Sequence, residues 1–165
     1  RSSAASDVYK RQLPIKYKEL ASALNVELEE RVSISQLRSA VLALREKKGM
    51  LYQSEDSYWS AGSFFVNPVI SLEKASQLPE SAPRWPAENG TVKTSAAWLI
   101  EHAGVVKGET LGGAKISDKH VLALVNAGDA TAADLIALAK SVQARVSDKF
   151  GVTLVPEVRL VGVKI

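Results

Sequence analysis

The sequence Ser60-Ala61-Gly62-Ser63-Phe64-Phe65-Val66-Asn67-Pro68 predicts a core strand that carries a hydroxyl group. Because side chains alternate along a strand, Ser63 and Phe65 are expected on one face and Phe64 on the other. Gly62 would let the backbone come close to whatever lies against the hydroxyl. Taken alone, the stretch is better explained as a core strand with two buried phenylalanines and a hydrogen-bonded serine than as a functional motif.

The charge of the chain is nearly balanced. Its 165 residues suffice for one ordinary domain, with 21 basic and 18 acidic residues and a net charge of +3. Residues 1–12 hold three basic residues and one acidic residue, so the remainder carries only +1. A nucleic-acid surface would need basic residues clustered on one face. The composition therefore predicts no nucleic-acid partner.

The chain has no cysteine, which excludes disulfides, thiolate catalysis and thiolate metal sites. Its apolar runs are far shorter than the roughly 18–20 residues that span a bilayer. The two histidines, His102 and His120, lie on different predicted elements without carboxylates at metal-ligand spacing. We therefore expect a soluble cytoplasmic protein with no membrane partner and no metal.

The first twelve residues do not fit the rest of the sequence. Arg1–Gln12 shows neither helical nor strand periodicity and no apolar central region of the kind that marks a signal peptide. We expect this segment to be a foreign leader and exclude it from the fold prediction.

Helices and strands alternate irregularly along the remainder, which predicts an α+β fold. A helix is expected after Pro14, and a stronger one begins at Ser33 or Ser35 and stops at Gly49. The longest helix opens at Thr131 with a capping-box spacing. The other predicted elements are strands at Gly62–Phe65, Val121–Asn126, Val152–Leu154 and Glu157–Val163, helices after Ser71 and at Ala96–Ala103, and a loop at Leu78–Gly90.

Further motifs follow the serine-containing stretch in a fixed order. They are Lys93-Thr94-Ser95-Ala96-Ala97-Trp98-Leu99-Ile100-Glu101, Ala103-Gly104, Lys107-Gly108, Gly112-Gly113-Ala114 with His120, and Leu154-Val155-Pro156-Glu157-Val158-Arg159-Leu160-Val161-Gly162. In this order and spacing the sequence resembles the C-terminal part of the UDP-N-acetylenolpyruvoylglucosamine reductase family. The resemblance covers about Leu13 to Gly162.

The resemblance implies a reaction and its cofactors. In this family NADPH reduces a bound FAD, and the flavin transfers hydride to C3 of UDP-N-acetylglucosamine enolpyruvate, giving the UDP-N-acetylmuramate needed for peptidoglycan. By resemblance, Ser63 is the proton donor to C2 and Glu157 assists protonation from across the active site. Without the resemblance, Glu157 would be interpreted as a solvated strand residue.

The resemblance also implies a set of substrate-binding residues. Lys48 and Lys107 match family cations that hold carboxylate or phosphate, a role that suits the flexible point charge of lysine. Arg45 lies one helical turn before Lys48. The remaining matches are Tyr17, Asn67 and Trp85. Tyr17 stands in Tyr17-Lys18-Glu19-Leu20, where the family has glycine in place of Lys18, and Trp85 occupies the place of a substrate-covering tyrosine.

The resemblance divides the chain into a remnant of the FAD-binding domain at residues 13–51 and a substrate-binding domain at residues 58–165. The glycine-rich loops that surround the flavin phosphates in the family have no counterpart here, so we expect the chain alone to be inactive. Two alternatives stay open. One is a non-catalytic nucleotide-sugar-binding domain, and the other is an interaction domain anchored by Trp59, Trp85 and Phe65.

Overall fold

The computed structural model describes residues 12–51 and 59–165. The chain divides after Leu51 into two compact units, here called the N-terminal unit and the C-terminal unit. The predicted boundary at Tyr52–Trp59 falls on residues 52–58, outside the described residues. Residues 1–11 of the predicted leader also lie outside them.

The N-terminal unit contains a two-stranded sheet and two helices. Strand β1 (Gln12–Pro14) pairs antiparallel with β2 (Arg31–Ser33), and the helices are α1 (Lys18–Leu24) and α2 (Ile34–Lys47). A capping box starts α2, because Ser33 Oγ accepts from the N–H of Gln36 while the Gln36 side chain accepts from the N–H of Ser33. The buried apolar core in the described part of this unit is small: Ile15, Ala21 and Val32.

The larger sheet of the C-terminal unit has four antiparallel strands in the order β3-β9-β8-β7. These strands are β3 (Trp59–Ser63), β7 (Thr110–Leu111), β8 (Ala114–Ile116) and β9 (Ala123–Asn126). The smaller sheet is also antiparallel and has the order β4-β6-β5. Its strands are β4 (Val69–Ser71), β5 (Arg84–Pro86) and β6 (Thr91–Thr94).

Three helices complete the C-terminal unit: α3 (Leu72–Gln77), α4 (Ala96–His102) and α5 (Ala132–Phe150). A serine or threonine caps each helix N-terminus, namely Ser71, Ser95 and Thr131. Helix α5 packs against α4 and against strands β7 to β9. The apolar core lies between these layers and includes Phe65, Leu99, Ile100, Ile116, Leu138, Val142 and Leu154.

The predicted α+β class is confirmed. The capping box of α5 also forms, with the N–H of Asp134 donating to Thr131 Oγ1 and the N–H of Thr131 donating to the Asp134 carboxylate. Helix α5 ends at Gly151, whose φ of 60° suits glycine. Long periodic helices with caps were therefore predicted correctly.

The predicted strands are less accurate. The strand predicted at Gly62–Phe65 lies instead at Trp59–Ser63, and the predicted loop at Leu78–Gly90 contains β5 and a 3-10 turn. The two strands predicted after residue 151 do not form, and an isolated bridge between Phe65 and Pro156 stands in their place. Proline has no N–H to donate to a ladder, so pairing there stays short.

No helix among the described residues is both long and apolar enough to cross a membrane.

Candidate functional site

Ser63 lies at the end of β3, where the pairing with β9 is irregular. The register shifts between Ser60, which faces Val125, and Ser63, which faces Ala123. Gly62 stands inside this bulge with φ of 84°, a conformation that strongly favours glycine. No described atom lies within 4 Å of the position that a Cβ would take at Gly62, so its conformation rather than close packing within the chain explains the glycine.

The two phenylalanines after Ser63 both lie in the core. Phe64 and Phe65 are both buried, with ring centroids 5.0 Å apart in an edge-to-face arrangement. Strand β3 has already ended at Ser63, so period-two alternation no longer applies. Ser63 itself is half-buried, and among the described residues its hydroxyl has no hydrogen-bond partner.

Glu157 is held beside Ser63 by backbone pairing. The N–H of Glu157 donates to the carbonyl oxygen of Phe64 at 2.8 Å, and the N–H of Val66 donates to the carbonyl of Val155 at 3.0 Å. These two bonds flank the bridge between Phe65 and Pro156 and put Glu157 opposite Phe64, the residue that follows Ser63. The Glu157 side chain is exposed. A hydroxyl and a carboxyl, distant in sequence, therefore stand on adjoining segments.

Asn67 joins the segment after Ser63 to the start of α4. Its Oδ1 accepts a hydrogen bond from the N–H of Ala96 at 2.9 Å. Among the described residues its Nδ2 group has no partner. The amide is therefore fixed through its oxygen and can still donate through its nitrogen.

Lys107 lies in a tight turn that Glu109 organises. The N–H of Glu109 donates to the Val106 carbonyl at 3.3 Å, and Glu109 Oε2 accepts from the N–H of Val106 at 3.3 Å. Arg145 on α5 donates two hydrogen bonds to Glu109, at 2.6 and 3.0 Å. These bonds hold the pKa of Glu109 below its ordinary value. Lys107 is thereby presented to solvent on a braced turn.

The Lys107 turn lies at the same end of the four-stranded sheet as Ser63. The N–H of Gly108 donates to the carbonyl of Ile116 at the end of β8. Ser63 pairs with Ala123, whose carbonyl accepts from the N–H of Ser117, the residue after Ile116. The sheet therefore brings Ser63, Glu157 and Lys107 to one end, a result that sequence spacing alone could not give.

Trp85 is exposed on the smaller sheet. It pairs with Lys93 on β6, and Lys93 pairs on its other side with Val69 on β4. All three residues are exposed, and two strand spacings separate Trp85 from Val69 by about 10 Å. Trp85 and Val69 therefore lie on the two outer strands of this sheet, and Val69 follows Asn67 by two residues. Sequence reasoning gave Lys93 no role, although its exposed strand position beside Trp85 makes it a candidate ligand contact.

Three of the predicted substrate-binding residues line a single cavity of the N-terminal unit. This cavity, of about 260 Å³, is lined by Tyr17, Glu19, Leu20, Val41, Leu44, Arg45, Lys48 and Met50. Lys48 Nζ bonds Glu19 Oε2 at 2.6 Å, a pairing that joins α1 to the end of α2. Lys18, which replaces the family glycine, lies within α1 and so needs no special backbone conformation.

The two histidines make local bonds. His102 stacks on Trp98 with ring centroids 3.8 Å apart, and its Nδ1 lies 2.8 Å from the Trp98 carbonyl. His120 Nδ1 accepts from the N–H of Leu122 at 3.1 Å. Within the described residues, no cluster of three histidine, cysteine or carboxylate residues could hold a metal ion.

Neither the start of α2 nor the cavity beside α1 fits the diphosphate of a flavin dinucleotide. Such a group requires unpaired N–H donors or cations. The capping box occupies the start of α2, and a cavity of about 470 Å³ beside α1 is lined by the carboxylates Glu27 and Glu30 as well as Lys18. These carboxylates would repel the diphosphate.

The described residues define an α+β protein whose hydroxyl, carboxyl and lysine candidates lie at one end of a sheet. A sequence model of the family described as UDP-N-acetylenolpyruvoylglucosamine reductase, C-terminal domain, matches residues 53–161. The chain belongs to this family, and the resemblance predicted from its motifs is confirmed.

Curated relatives carry the same name. The reductases of Cutibacterium acnes and Streptomyces coelicolor are 51% and 50% identical to the chain over 92% and 91% of its length. The reductase of Mycobacterium marinum is 46% identical over 96% of the chain. These matches cover 41%, 42% and 45% of the relatives, so the chain spans less than half of their length.

Proposed function

We propose that this chain provides substrate binding and proton donation for the NADPH-dependent, FAD-mediated reduction of UDP-N-acetylglucosamine enolpyruvate to UDP-N-acetylmuramate, a peptidoglycan precursor. The observation that carries the proposal is the 2.8 Å hydrogen bond from the Glu157 N–H to the Phe64 carbonyl, which holds Glu157 beside Ser63. In this proposal, FAD reduced by NADPH supplies a hydride, and both would be bound by the part of the reductase outside the match.

Ser63 would donate its hydroxyl proton to C2 of the enolpyruvyl group. Addition of hydride to C3 leaves a pair of electrons that is shared between C2 and the adjacent carboxylate, and protonation at C2 completes the lactyl ether. A serine hydroxyl is a weak acid, so its transient alkoxide needs stabilisation from a shielded site. The half-buried hydroxyl of Ser63 meets this need better than an exposed one would.

Glu157 would assist the protonation of C2 from the adjoining segment. Its backbone is fixed by the pairing with Phe64, while its exposed side chain stays free to approach a substrate. A short backbone tether of this kind limits the positions that the carboxyl can take, which favours productive geometry.

The anionic substrate would be held by cations and by an amide. Lys107 suits a phosphate or carboxylate group, and the Nδ2 of Asn67, which has no partner in the described part of the chain, suits an oxygen acceptor. Trp85 would cover the substrate with its indole, and Lys93 is added beside it as a further phosphate contact. On the N-terminal unit, Tyr17, Arg45 and Lys48 are proposed as substrate-binding residues, because they line one cavity.

The first test measures turnover in a hybrid reductase in which residues 13–165 replace the matching part of the Cutibacterium acnes relative. We expect Ser63→Ala to lower kcat by about 10²- to 10⁴-fold, the usual range for a lost general acid. Substrate binding and the reduction of the flavin by NADPH should stay unchanged. Ser60→Ala makes the same change on the same strand and serves as the matched control.

Retention of full kcat by the Ser63→Ala hybrid would contradict the proton-donor role. Such a result, together with normal affinity for the substrate, would instead favour a non-catalytic nucleotide-sugar-binding domain. The reduction of the flavin by NADPH is measured separately in each hybrid. A hybrid whose flavin is not reduced is therefore identified before the kcat values are compared.

A second test titrates the 165-residue chain calorimetrically with UDP-N-acetylglucosamine enolpyruvate, using UMP as control. Saturable binding that prefers the enolpyruvyl sugar is expected, and Lys107→Met should weaken it. We also expect the chain alone not to bind FAD tightly, because its sequence has no counterpart of the glycine-rich loops that surround the flavin phosphates in the family. A stoichiometric yellow complex after gel filtration would contradict that expectation.

A further inference from the structure

Arg84 makes an unusually dense set of hydrogen bonds to main-chain carbonyls. Its guanidinium forms six such bonds, at 2.8 to 3.2 Å, to five residues. The five acceptors are Ala75, Leu78, Pro79, Glu80 and Ala82. A planar guanidinium with five N–H donors can satisfy several acceptors at once, whereas an ammonium group cannot match that arrangement. Arg84 is therefore fully engaged within its own unit.

The bonds of Arg84 join the end of one helix to the loop that precedes β5. Ala75 lies in the last turn of α3, where a cation is favourable, and its carbonyl also accepts from the N–H of Leu78 at 3.3 Å. The other four acceptors lie in residues 78–82, here called the 78–82 loop. Arg84 thus bonds the main chain of a loop that has little regular structure, whose other anchors are the buried side chains of Leu78 and Ala82.

A second contact fixes the same point of the chain. The hydroxyl of the fully buried Thr94 donates to the carbonyl of Pro83 at 2.7 Å, and Thr94 is also the cross-strand partner of Arg84. Strand β5 contains only Arg84, Trp85 and Pro86, and it lies at the edge of its sheet. A three-residue edge strand that ends in proline has few ladder bonds, so side-chain contacts must hold it in place.

We propose that Arg84 is a positioning residue for substrate binding: by bonding the 78–82 loop it holds Trp85 in the orientation that covers the nucleotide sugar. This inference rests on the proposed function, because it assigns Trp85 to the substrate. Trp85 is 47% exposed and needs a fixed backbone to present a rigid flat surface, since ordering the indole only on binding would reduce affinity. Arg84 itself does not contact the ligand.

The inference predicts that Arg84 and Trp85 are coupled in substrate binding. A double-mutant cycle tests this by measuring the affinity of the 165-residue chain for UDP-N-acetylglucosamine enolpyruvate. Trp85→Ala should lower affinity about tenfold, as expected for loss of one stacking contact. Arg84→Gln should lower it about fivefold in the presence of Trp85 and by less than about twofold when residue 85 is alanine. Arg84→Lys should give an intermediate loss, and Arg38→Gln, on the N-terminal unit, is the matched control.

A ligand-free measurement accompanies the cycle. In a chain with Trp59→Phe and Trp98→Phe, Trp85 is the only indole, and its fluorescence anisotropy reports how firmly it is held. Arg84→Gln should lower this anisotropy, and Arg84→Lys should restore part of it. Circular dichroism identifies any variant that fails to fold. If Arg84→Gln does not fold, Arg84→Lys is compared with the unsubstituted chain instead.

The outcomes separate this inference from the proposed function. If the unsubstituted chain binds the sugar but Arg84→Gln and Trp85→Ala are additive, the inference is wrong while the proposed function stands. If the chain binds no enolpyruvyl sugar, the substrate-binding role proposed for it is wrong. The anisotropy of Trp85 then still tests whether Arg84 holds the indole in place. Unchanged anisotropy in Arg84→Gln would overturn that part as well.

Discussion

The two units of this chain contain helices with the same apolar periodicity but bury them to very different extents. In α2 the periodic residues are Leu37, Val41 and Leu44, yet the helix has no buried residue. In α5 the corresponding stripe includes Leu138 and Val142, which are buried against the four-stranded sheet and α4. Periodicity therefore predicts which face of a helix is apolar, whereas burial depends on the surface that the rest of the unit supplies.

The largest expected effect comes from removing the same side chain in each unit. Leu138→Ala should lower the free energy of unfolding by about 2–5 kcal/mol, because it removes a buried side chain and leaves a cavity. Leu37→Ala should cost less than about 1 kcal/mol, because Leu37 is only half-buried. Urea unfolding of the 165-residue chain measures both. Equal losses would mean that the N-terminal unit is packed as tightly as the C-terminal unit.

Hydrogen exchange compares the two helices without substitution. We expect the amides of α2 to exchange at least about 100-fold faster than those in the middle of α5, a difference of about 2.7 kcal/mol in local opening. The small core of Ile15, Ala21 and Val32 is the physical reason. Early proteolytic cleavage within residues 13–49 should accompany it. Equal protection of α2 and α5 would contradict this expectation.

The accuracy of sequence-based prediction follows the strength of each local signal. The α5 capping box and the Gly151 stop were recoverable because short, specific chemistry marks both ends of a long amphipathic run. Strands β5 and β7 have three and two residues, which is too few for any period to appear. Their positions depend on partner strands and, for β5, on the carbonyl contacts of Arg84.

The candidate site shows the same division between local and long-range information. Ser63 and Lys107 could be named from motifs, but only the sheet order brings them to one end of the unit. The pairing of Glu157 with Phe64 and the Glu109–Arg145 contact join residues far apart in sequence. Lys93 was missed because an exposed lysine on a strand is ordinarily a solvated residue, and only its register with Trp85 distinguishes it.

Helix caps provide a smaller, matched comparison, because α2 and α5 each begin with a capping box. Thr131→Ala should lower the free energy of unfolding by about 1 kcal/mol, since α5 is part of the main core. Ser33→Ala removes the equivalent bond from α2, where the loss should appear as reduced helix content with less change in the main unfolding transition. Circular dichroism and urea unfolding measure the two effects. An equal shift of the main transition by both variants would show that the units unfold together.

The smallest expected effect concerns one ion pair in each unit. Arg145 and Glu109 form a bidentate pair, whereas Lys48 meets Glu19 through one contact. At pH 7, Glu109→Gln should cost up to about 1 kcal/mol of unfolding free energy and Glu19→Gln less than about 0.5 kcal/mol.

The Arg145 hydrogen bonds lower the pKa of Glu109 in the folded chain, so its contribution to stability is present above the ordinary pKa of glutamate. That contribution should decrease as pH falls below the ordinary pKa of glutamate, where Glu109 of the unfolded chain becomes protonated. It should be lost once pH is below the lowered pKa, because Glu109 is then protonated in both the folded and the unfolded chain. Urea unfolding at pH 7 and at successively lower pH checks this. A Glu109→Gln deficit that stays constant across that range would mean that the variant acts through packing and not through the charge of the pair.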